Sequence, residues 1–301
     1  MNRFTKAIFI FAIIVIIVDI SYGMVCDYLY SHSQGGVTKL SWQTCKEQTS
    51  DVLVMGSSRA NHHYVPSILS DSLGMSVYNA GQDGNGIVLM YGYDEIIKER
   101  YVPKVIIYEV TQAFDIDEYA EDDHCKRYLG SLRPYHSNNG VKDIIRRVDR
   151  SELIKNHSGL YRYNSKGLDI IKEYVTRPAF PHDGFVPLLG EIKEGYVVKP
   201  EKGGQKIDTL KLSFLRDFIM EVKSDNVKII LVASPKFGVK SSESFEPVKK
   251  IARELEVDFI DLYSDPDFVN NRELFKEPMH LNMLGSKYYS AKFANIIKGL
   301  I

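Results

Sequence analysis

The sequence has few cysteines and almost no net charge. Its three cysteines, Cys26, Cys45 and Cys125, are too few for a disulfide-rich framework or a four-thiolate zinc site. Lys plus Arg number 38 and Asp plus Glu number 39, so the net charge of −1 gives no electrostatic reason to bind nucleic acid. Internal repeats and low-complexity runs are also lacking. With 44% hydrophobic and 26% charged residues, the 301-residue chain is globular in composition, which excludes a disordered, collagen-like or coiled-coil protein.

One long apolar run lies at the N-terminus. Arg3 and Lys6 precede it, residues 7–18 are wholly apolar, and after Asp19 the chain stays largely apolar to Val25. A helix from the start of the run to Val25 rises roughly 28 Å, close to the thickness of a hydrocarbon core. Basic residues lie before the run and few follow it, which puts the N-terminus in the cytoplasm and the rest of the chain outside.

We therefore predict an uncleaved, single-pass membrane anchor over residues 1–25. Two alternatives are a cleaved signal peptide, with Ser21-Tyr22-Gly23 as its small-residue cleavage region, and a buried core helix. The anchor and the signal peptide both export the domain to the periplasm or cell exterior, where the cysteines can oxidise, although their odd number defines no specific pair.

After residue 50, short β-branched runs alternate with helical patterns. The strand-like runs are Asp51–Met55, Ser76–Asn79, Lys104–Val110, Val227–Ala233 and Val257–Asp261. Apolar residues at three- and four-residue spacing predict helices over 210–222, 248–255 and 289–300. Strands separated by helices pair in parallel through right-handed crossovers. We predict an α/β fold, a three-layer α/β/α sandwich with a mostly parallel sheet, whose sites lie at the carboxyl ends of the strands.

The predicted organisation has three parts. Residues 1–25 form the anchor, 26–50 a linker and lead-in helix, and 51–301 the α/β domain. Residues 115–206 are richer in polar residues and prolines, and helices are plausible near 141–148 and 167–175. We interpret this stretch as an insertion near the strand ends rather than as an independent domain.

Residues that can react or donate hydrogen bonds lie beside three of the predicted elements: after the first strand, after the second strand and before the last helix. Gly56-Ser57-Ser58-Arg59 comes directly after the first strand, where a hydroxyl and backbone N–H groups can face a reacting carbonyl. Capping of the next helix is the simpler interpretation of these serines. The glycine-rich segment 79–86 follows the second strand and can donate N–H groups or be a plain loop. Before the last helix, Glu277 lies three residues ahead of His280 and can orient its ring, leaving the other ring nitrogen to take a proton from a serine.

Taken together, these segments resemble the SGNH hydrolase superfamily, also called the GDSL-like esterases, over residues 51–301 apart from the insertion. The resemblance implies a flavodoxin-like α/β/α fold and a triad of Ser58 as nucleophile, His280 as base and Glu277 as its orienter. It further implies that the backbone N–H groups of Ser58 and Gly84 stabilise an oxyanion. The Gly-Ser-Ser-Arg form with an N-terminal anchor looks most like the envelope branch of O-acetyltransferases and esterases that act on polysaccharides.

The sequence departs from the family pattern at two points. The block Gly-x-Asn-Asp, whose Asn gives a second oxyanion donor in the family, is absent after the third strand. Gln112 offers the same amide chemistry on a longer side chain and is our candidate replacement. Glu277 stands where the family has Asp. The resulting hypothesis is an exported serine esterase or O-acyltransferase acting on acyl esters, acetyl foremost, of an envelope glycan. The alternative is a catalytically weak or inactive module that binds glycan or an envelope partner.

Three further residues, Arg59, His63 and Asn85, are candidate substrate contacts because they lie beside the predicted nucleophile or in the glycine-rich turn. His62, His63 and His280 also raise the question of a metal. Adjacent histidines diverge, and no carboxylate or thiol lies at ligand spacing, so we predict no metal and no cofactor. The expected partners are an envelope glycan or an acylated small substrate and, through the N-terminal helix, the membrane.

Overall fold

The computed structural model describes residues 2–119, 125–164, 166–198 and 206–301. The helices are α1 Arg3–Ser31, α2 Gly36–Trp42, α3 Ser58–His63, α4 Pro66–Leu73, α5 Ile87–Ile97, α6 Gln112–Asp115, α7 Asn139–Val148, α8 Arg150–Lys155, α9 Gly159–Tyr163, α10 Gly167–Thr176, α11 Thr209–Ser224, α12 Glu246–Glu254, α13 Pro266–Val269 and α14 Met283–Ile297. The strands are β1 Val52–Gly56, β2 Val77–Asn79, β3 Val105–Glu109, β4 Lys228–Ala233, β5 Asp258–Asp261, β6 Phe275–Glu277 and β7 His280–Leu281.

Strands β1 to β5 form one parallel sheet in the order β2-β1-β3-β4-β5. The five predicted strands are therefore confirmed, each within two residues of its expected bounds. After β1 the chain passes to β2 on one side and then to β3 on the other, so the order reverses between β1 and β3. In open parallel sheets, the crevice at such a reversal is the usual site of ligand binding.

Helices cover both faces of this sheet because each central strand is apolar on both sides. Leu53 and Met55 of β1 pack in the core under α5, α11 and α12. Val52 and Val54, which point to the opposite face, pack in a second core with α4 and α14. The predicted three-layer α/β/α architecture is confirmed.

Helix α1 runs unbroken past the predicted anchor boundary at residue 25. Of the helices in the described residues, it is the one long and apolar enough to cross a membrane, and only 6% of its most apolar stretch is buried. That exposure argues against a buried core helix. Its second half packs on the domain: Ser158 Oγ and Leu160 N donate hydrogen bonds to Asp19 Oδ1 (2.7 and 2.8 Å), and Gly23 lies against Gly159.

The stretch predicted as an insertion carries helices α7 to α10 and returns beside its starting point. Asp117 and Ile207 form an antiparallel bridge there, and Asp208 N donates to Ile116 O (2.8 Å). Residues 120–124, 165 and 199–205 of this predicted insertion lie outside the described part of the chain. The domain limits themselves stay predictions.

Candidate active site

The turn after β1 places two consecutive serines in different roles. Gly56 ends the strand with φ +142°, and a Cβ there would lie 2.5 Å from Glu109 O, so the position requires glycine. The Ser57 hydroxyl is hydrogen-bonded to Thr111 Oγ1 (2.6 Å). Neither serine makes a side-chain cap on α3, so the capping interpretation fails here. Ser58 is the first residue of α3.

His280 lies against Ser58 although 222 positions separate them in the chain. The distance from His280 Nε2 to Ser58 Oγ is 2.6 Å, and the other ring nitrogen, Nδ1, contacts Glu277 Oε1. Since a carboxylate can only accept, Nδ1 carries the proton and Nε2 is left to accept the Ser58 hydroxyl. The three residues that the sequence predicts as a triad are thus joined by hydrogen bonds in the expected order, while their catalytic roles stay predictions.

Glu277 is held in its ionised form at this position. Burial opposes ionisation, but hydrogen bonds from His280 and from Met279 N (3.1 Å) outweigh it and lower the pKa of Glu277. The antiparallel pair β6–β7 sets the geometry by placing Glu277 directly opposite His280. The Glu277 side chain therefore reaches Nδ1 of the His280 ring across this pair.

A cap on α14 fixes the chain direction immediately after His280. Asn282 Oδ1 accepts from Gly285 N (3.0 Å), and its amide donates to Gly190 O and Glu273 O. Leu281 N, next to His280, donates to His63 Nε2 (3.0 Å). The segment that carries the imidazole is therefore tied both to its own helix and to α3.

Beneath the triad lies a buried network that the sequence analysis missed. Arg59 Nε lies 3.3 Å from Glu109 Oε1, and the two side chains are 1% and 0% exposed. Ser234 Oγ donates to Glu109 (2.7 Å) and bonds His63 Nδ1 (2.8 Å), while Tyr64 donates to the same carboxylate (2.5 Å). The signal available in the sequence was an acidic residue ending the otherwise apolar strand β3.

This network includes Arg59 and His63, the two residues of α3 that we predict as substrate contacts. Both are buried, and the two ring nitrogens of His63 are used by Ser234 and by Leu281 N. Burial, followed by the nearby charge of Arg59, lowers the pKa of His63 well below its ordinary value, so the ring is neutral. Both side chains therefore support the triad from the core side of α3, and a substrate role for either stays a prediction.

The glycine-rich segment after β2 folds as a turn against α3. Asn79 Nδ2 donates to Ala60 O (2.7 Å), and Gln82 N donates to Gly56 O (3.0 Å). Gly84 adopts φ +69°, a left-handed conformation that favours glycine. The Asn85 amide donates within the turn, to the backbone oxygen of Asp83 (2.9 Å). The oxyanion role of Gly84 and a substrate role for Asn85 stay predictions.

Gln112, the predicted second donor, begins α6 at the end of β3. Tyr263 donates a hydrogen bond to its side-chain oxygen (3.1 Å), which leaves the amide nitrogen as the donating group. The neighbouring Asp115 accepts from Ile87 N (2.8 Å) and Thr111 N (2.6 Å), joining this loop to the start of α5. The donor role of Gln112 stays a prediction.

The three histidines do not form a metal centre. The His62 and His63 rings lie 5.4 and 6.2 Å from the His280 ring, but their nitrogens are engaged by protein groups. No group of three or more His, Cys, Asp or Glu suited to a metal ion occurs among the residues that the structure describes. Cys26, Cys45 and Cys125 are buried thiols, and Cys125 Sγ donates a hydrogen bond to Asp208 Oδ2 (3.7 Å).

No protein-family model matches the chain, and no curated protein matches it significantly. Solved structures similar to it include a G-D-S-L family protein from Desulfitobacterium hafniense DCB-2 (11% identity, 83% of this chain and 99% of that chain, TM-score 0.37). A second is an acetyl xylan esterase (14% identity, 82% of this chain and 99% of that chain, TM-score 0.39). A third is a variant of an acetyl-xylooligosaccharide esterase from Geobacillus Stearmophilus (14% identity, 83% of this chain and 94% of that chain, TM-score 0.41). These likenesses concern the fold alone. The sheet order and flanking helices described above are those of a flavodoxin-like α/β/α fold, which is the architecture that the motifs imply.

Proposed function

We propose that the protein is a membrane-anchored serine esterase or O-acyltransferase that acts on acyl esters, acetyl foremost, of a cell-envelope glycan. The observation that carries the proposal is the hydrogen-bonded series Ser58–His280–Glu277 at the carboxyl edge of the sheet. A serine hydroxyl is a weak nucleophile until an adjacent base removes its proton, and this series supplies that base with its own orienting carboxylate.

In the proposed reaction, Ser58 Oγ attacks the acyl carbonyl while His280 Nε2 takes the hydroxyl proton. The resulting imidazolium is stabilised by Glu277, and the backbone N–H groups of Ser58 and Gly84, with the Gln112 amide, stabilise the oxyanion. His280 then returns its proton to the leaving sugar oxygen, which leaves Ser58 acylated. Water as the next nucleophile completes hydrolysis, whereas a sugar hydroxyl receives the acyl group in transfer.

Helix α1 supports the anchored form of the protein. Cleavage near residues 21–23 would remove Asp19, which accepts hydrogen bonds from Ser158 and Leu160 at the start of α9. It would also remove the Tyr22 ring that lies against Gly167. Because these contacts belong to the packed part of the molecule, we propose that α1 is retained and serves as a single-pass anchor with its N-terminus in the cytoplasm.

The test is covalent labelling of the full chain in detergent with a fluorophosphonate, alongside hydrolysis of p-nitrophenyl acetate. We expect one labelled serine, and Ser58→Ala should abolish both labelling and turnover. Ser57→Ala is the matched control, since that hydroxyl is turned to Thr111, and it should still be labelled. No labelling of the unaltered chain, together with binding to a polysaccharide array, would support the alternative of a non-catalytic glycan-binding module.

A further inference from the structure

His62 occupies a position beside the proposed triad that the mechanism above does not use. It lies four residues after Ser58 and therefore on the same face of α3. Its side chain is 6% exposed, and its ring packs edge-on against the His280 ring at 5.4 Å. A buried histidine in this place needs partners for both ring nitrogens.

Both partners of the His62 ring are hydrogen-bond acceptors. Nδ1 lies 2.7 Å from Val186 O, and Nε2 lies 3.3 Å from the Asp83 carboxylate. A neutral imidazole has one N–H and can satisfy one of these oxygens, whereas the imidazolium donates to both. The geometry therefore matches the protonated ring.

Asp83 immediately precedes Gly84, the proposed oxyanion donor. Its carboxylate also accepts from Asn61 Nδ2 (2.9 Å), so two consecutive residues of α3 hold the turn through this one side chain. Asp83 is 60% exposed and free to rotate into solvent if His62 stops donating. The Asn61 contact would then be the remaining side-chain link between Asp83 and α3.

Several charged groups face His62. Burial disfavours the imidazolium, but hydrogen bonds to Asp83 and Val186 O outweigh it, and Glu277 on β6 adds attraction, so the pKa of His62 is raised. The positive charge of Arg59 on the same helix is paired with Glu109, and His280 accepts the Ser58 hydroxyl at Nε2 and so adds no positive charge. His63 is neutral. The raised pKa of His62 agrees in direction with the hydrogen-bond geometry, which offers an acceptor to each ring nitrogen.

We propose that His62 and Asp83 are a positioning pair. Protonated His62 holds Asp83, and thereby keeps the Gly84 turn in the geometry in which the Gly84 N–H donates to the oxyanion. This inference rests on the proposed esterase function. Loss of the His62 proton frees Asp83, loosens the turn and lowers kcat with little effect on KM, because the oxyanion forms only in the transition state. The alkaline limb of the pH profile then reports His62.

The experiment measures kcat and KM for p-nitrophenyl acetate with the full chain in detergent between pH 5 and 10. For the unaltered chain we expect an alkaline fall in kcat with a midpoint above about 6.5, the ordinary histidine value. His62→Gln should lower kcat about tenfold at neutral pH, the size of one lost charge-assisted hydrogen bond, and remove the alkaline limb. Asp83→Asn should move the limb to lower pH. Asp71→Asn, an exposed carboxylate on α4, is the matched control and should leave the profile unchanged.

Histidine-selective NMR titration provides a readout that does not depend on turnover. The His62 signal, assigned by its loss in His62→Gln, should titrate above the ordinary histidine value of about 6.5, and its midpoint should move down in Asp83→Asn. A His62 that is neutral at pH 6, or an unchanged alkaline limb in an active His62→Gln variant, would overturn the positioning pair. Absence of turnover and of fluorophosphonate labelling in the unaltered chain would instead refute the esterase proposal itself.

Discussion

Replacing Glu109 by Gln tests whether the buried network under the triad is as important as its geometry indicates. The Glu109 carboxylate accepts from the Tyr64 hydroxyl (2.5 Å) and from Ser234 Oγ and N (2.7 and 3.1 Å), and it pairs with Arg59. Gln has almost the same shape but no charge, and its NH2 group would meet a donor where an oxygen now accepts. The Arg59 guanidinium, 1% exposed, would be left without its counter-ion.

The expected loss follows from the burial of that pair. Removing one partner of a fully buried ion pair leaves an uncompensated charge and typically costs about 3–5 kcal/mol. A natural domain has a free energy of unfolding of about 5–15 kcal/mol, so the variant would lose between about a fifth and all of its stability. We expect kcat to fall as well, because Ser234 links Glu109 to His63, which holds the backbone next to His280.

Urea unfolding of the full chain in detergent, followed by fluorescence of Trp42, measures this loss; Trp42 is the single tryptophan in the sequence. Glu254→Gln is the control, because that carboxylate pairs with Arg216 on the surface, with both side chains about 40% exposed, and should change stability by less than about 1 kcal/mol. The double variant Arg59→Met/Glu109→Leu removes both charges at once. We expect its loss in the free energy of unfolding to be at least about 2 kcal/mol smaller than the summed losses of the two single variants.

Two results would refute this reasoning. One is a Glu109→Gln variant that loses no more stability than Glu254→Gln. The other is strict additivity in the double variant, which would mean that Arg59 and Glu109 do not depend on each other. Either outcome would show that the buried contacts are incidental to the stability of the site.

Two further predictions concern the triad carboxylate and the helix α1. Glu277→Gln should lower kcat about 10²–10⁴-fold with little change in KM, because an amide cannot stabilise protonated His280. The pKa of Glu277 is lowered in the folded chain, so its stabilising contribution is complete above about pH 4.5 and is lost as the pH falls through the pKa of the folded state. The difference in stability between the unaltered chain and Glu277→Gln should therefore vanish in acid. Asp19→Ala should lower stability by about 1 kcal/mol, or roughly 2 °C in Tm, because Ser158 Oγ and Leu160 N lose their acceptor.

Matched controls separate these effects from general loss of a carboxylate. Glu273→Gln removes an exposed carboxylate on the same segment as Glu277 and should keep kcat within about twofold. Asp71→Asn removes an exposed carboxylate on α4 and is the control for Asp19→Ala, so it should leave Tm nearly unchanged. A Glu277→Gln variant with full activity would contradict the orienting role of that carboxylate. An Asp19→Ala variant with unchanged Tm would contradict the docking of α1 on α9.

The spacing of apolar residues along the chain was sufficient to predict the strands of the sheet and most of the helices that cover it. The five strands are short buried runs whose apolar side chains extend to both faces, and helices such as α11 and α14 carry an apolar face that repeats every three or four residues. Both signals arise from neighbouring residues, so they can be read without knowing the fold. The Ser58, His280 and Glu277 positions were found in the same way, from short motifs at strand ends.

The buried support of the site could not be predicted in this manner. Glu109 ends β3, Ser234 follows β4 and Asp83 lies in the glycine-rich segment, but nothing near them in the chain indicates which residues they contact. The burial of Arg59 and His63 could not be predicted for the same reason, because a polar residue beside a nucleophile has the same sequence appearance whether it faces solvent or the core.

The sequence by itself determined the succession of strands and helices along the chain and the apolar character of α1. It also determined which side-chain types are available after β1, after β2 and before α14. Only the tertiary structure decided which of these side chains meet: His280 with Ser58 across 222 positions, Glu109 with Arg59, and Asp19 with the start of α9. The physical reason is that hydrophobic periodicity is a property of consecutive residues, whereas hydrogen bonds and buried ion pairs depend on distances that exist only after the layers have packed.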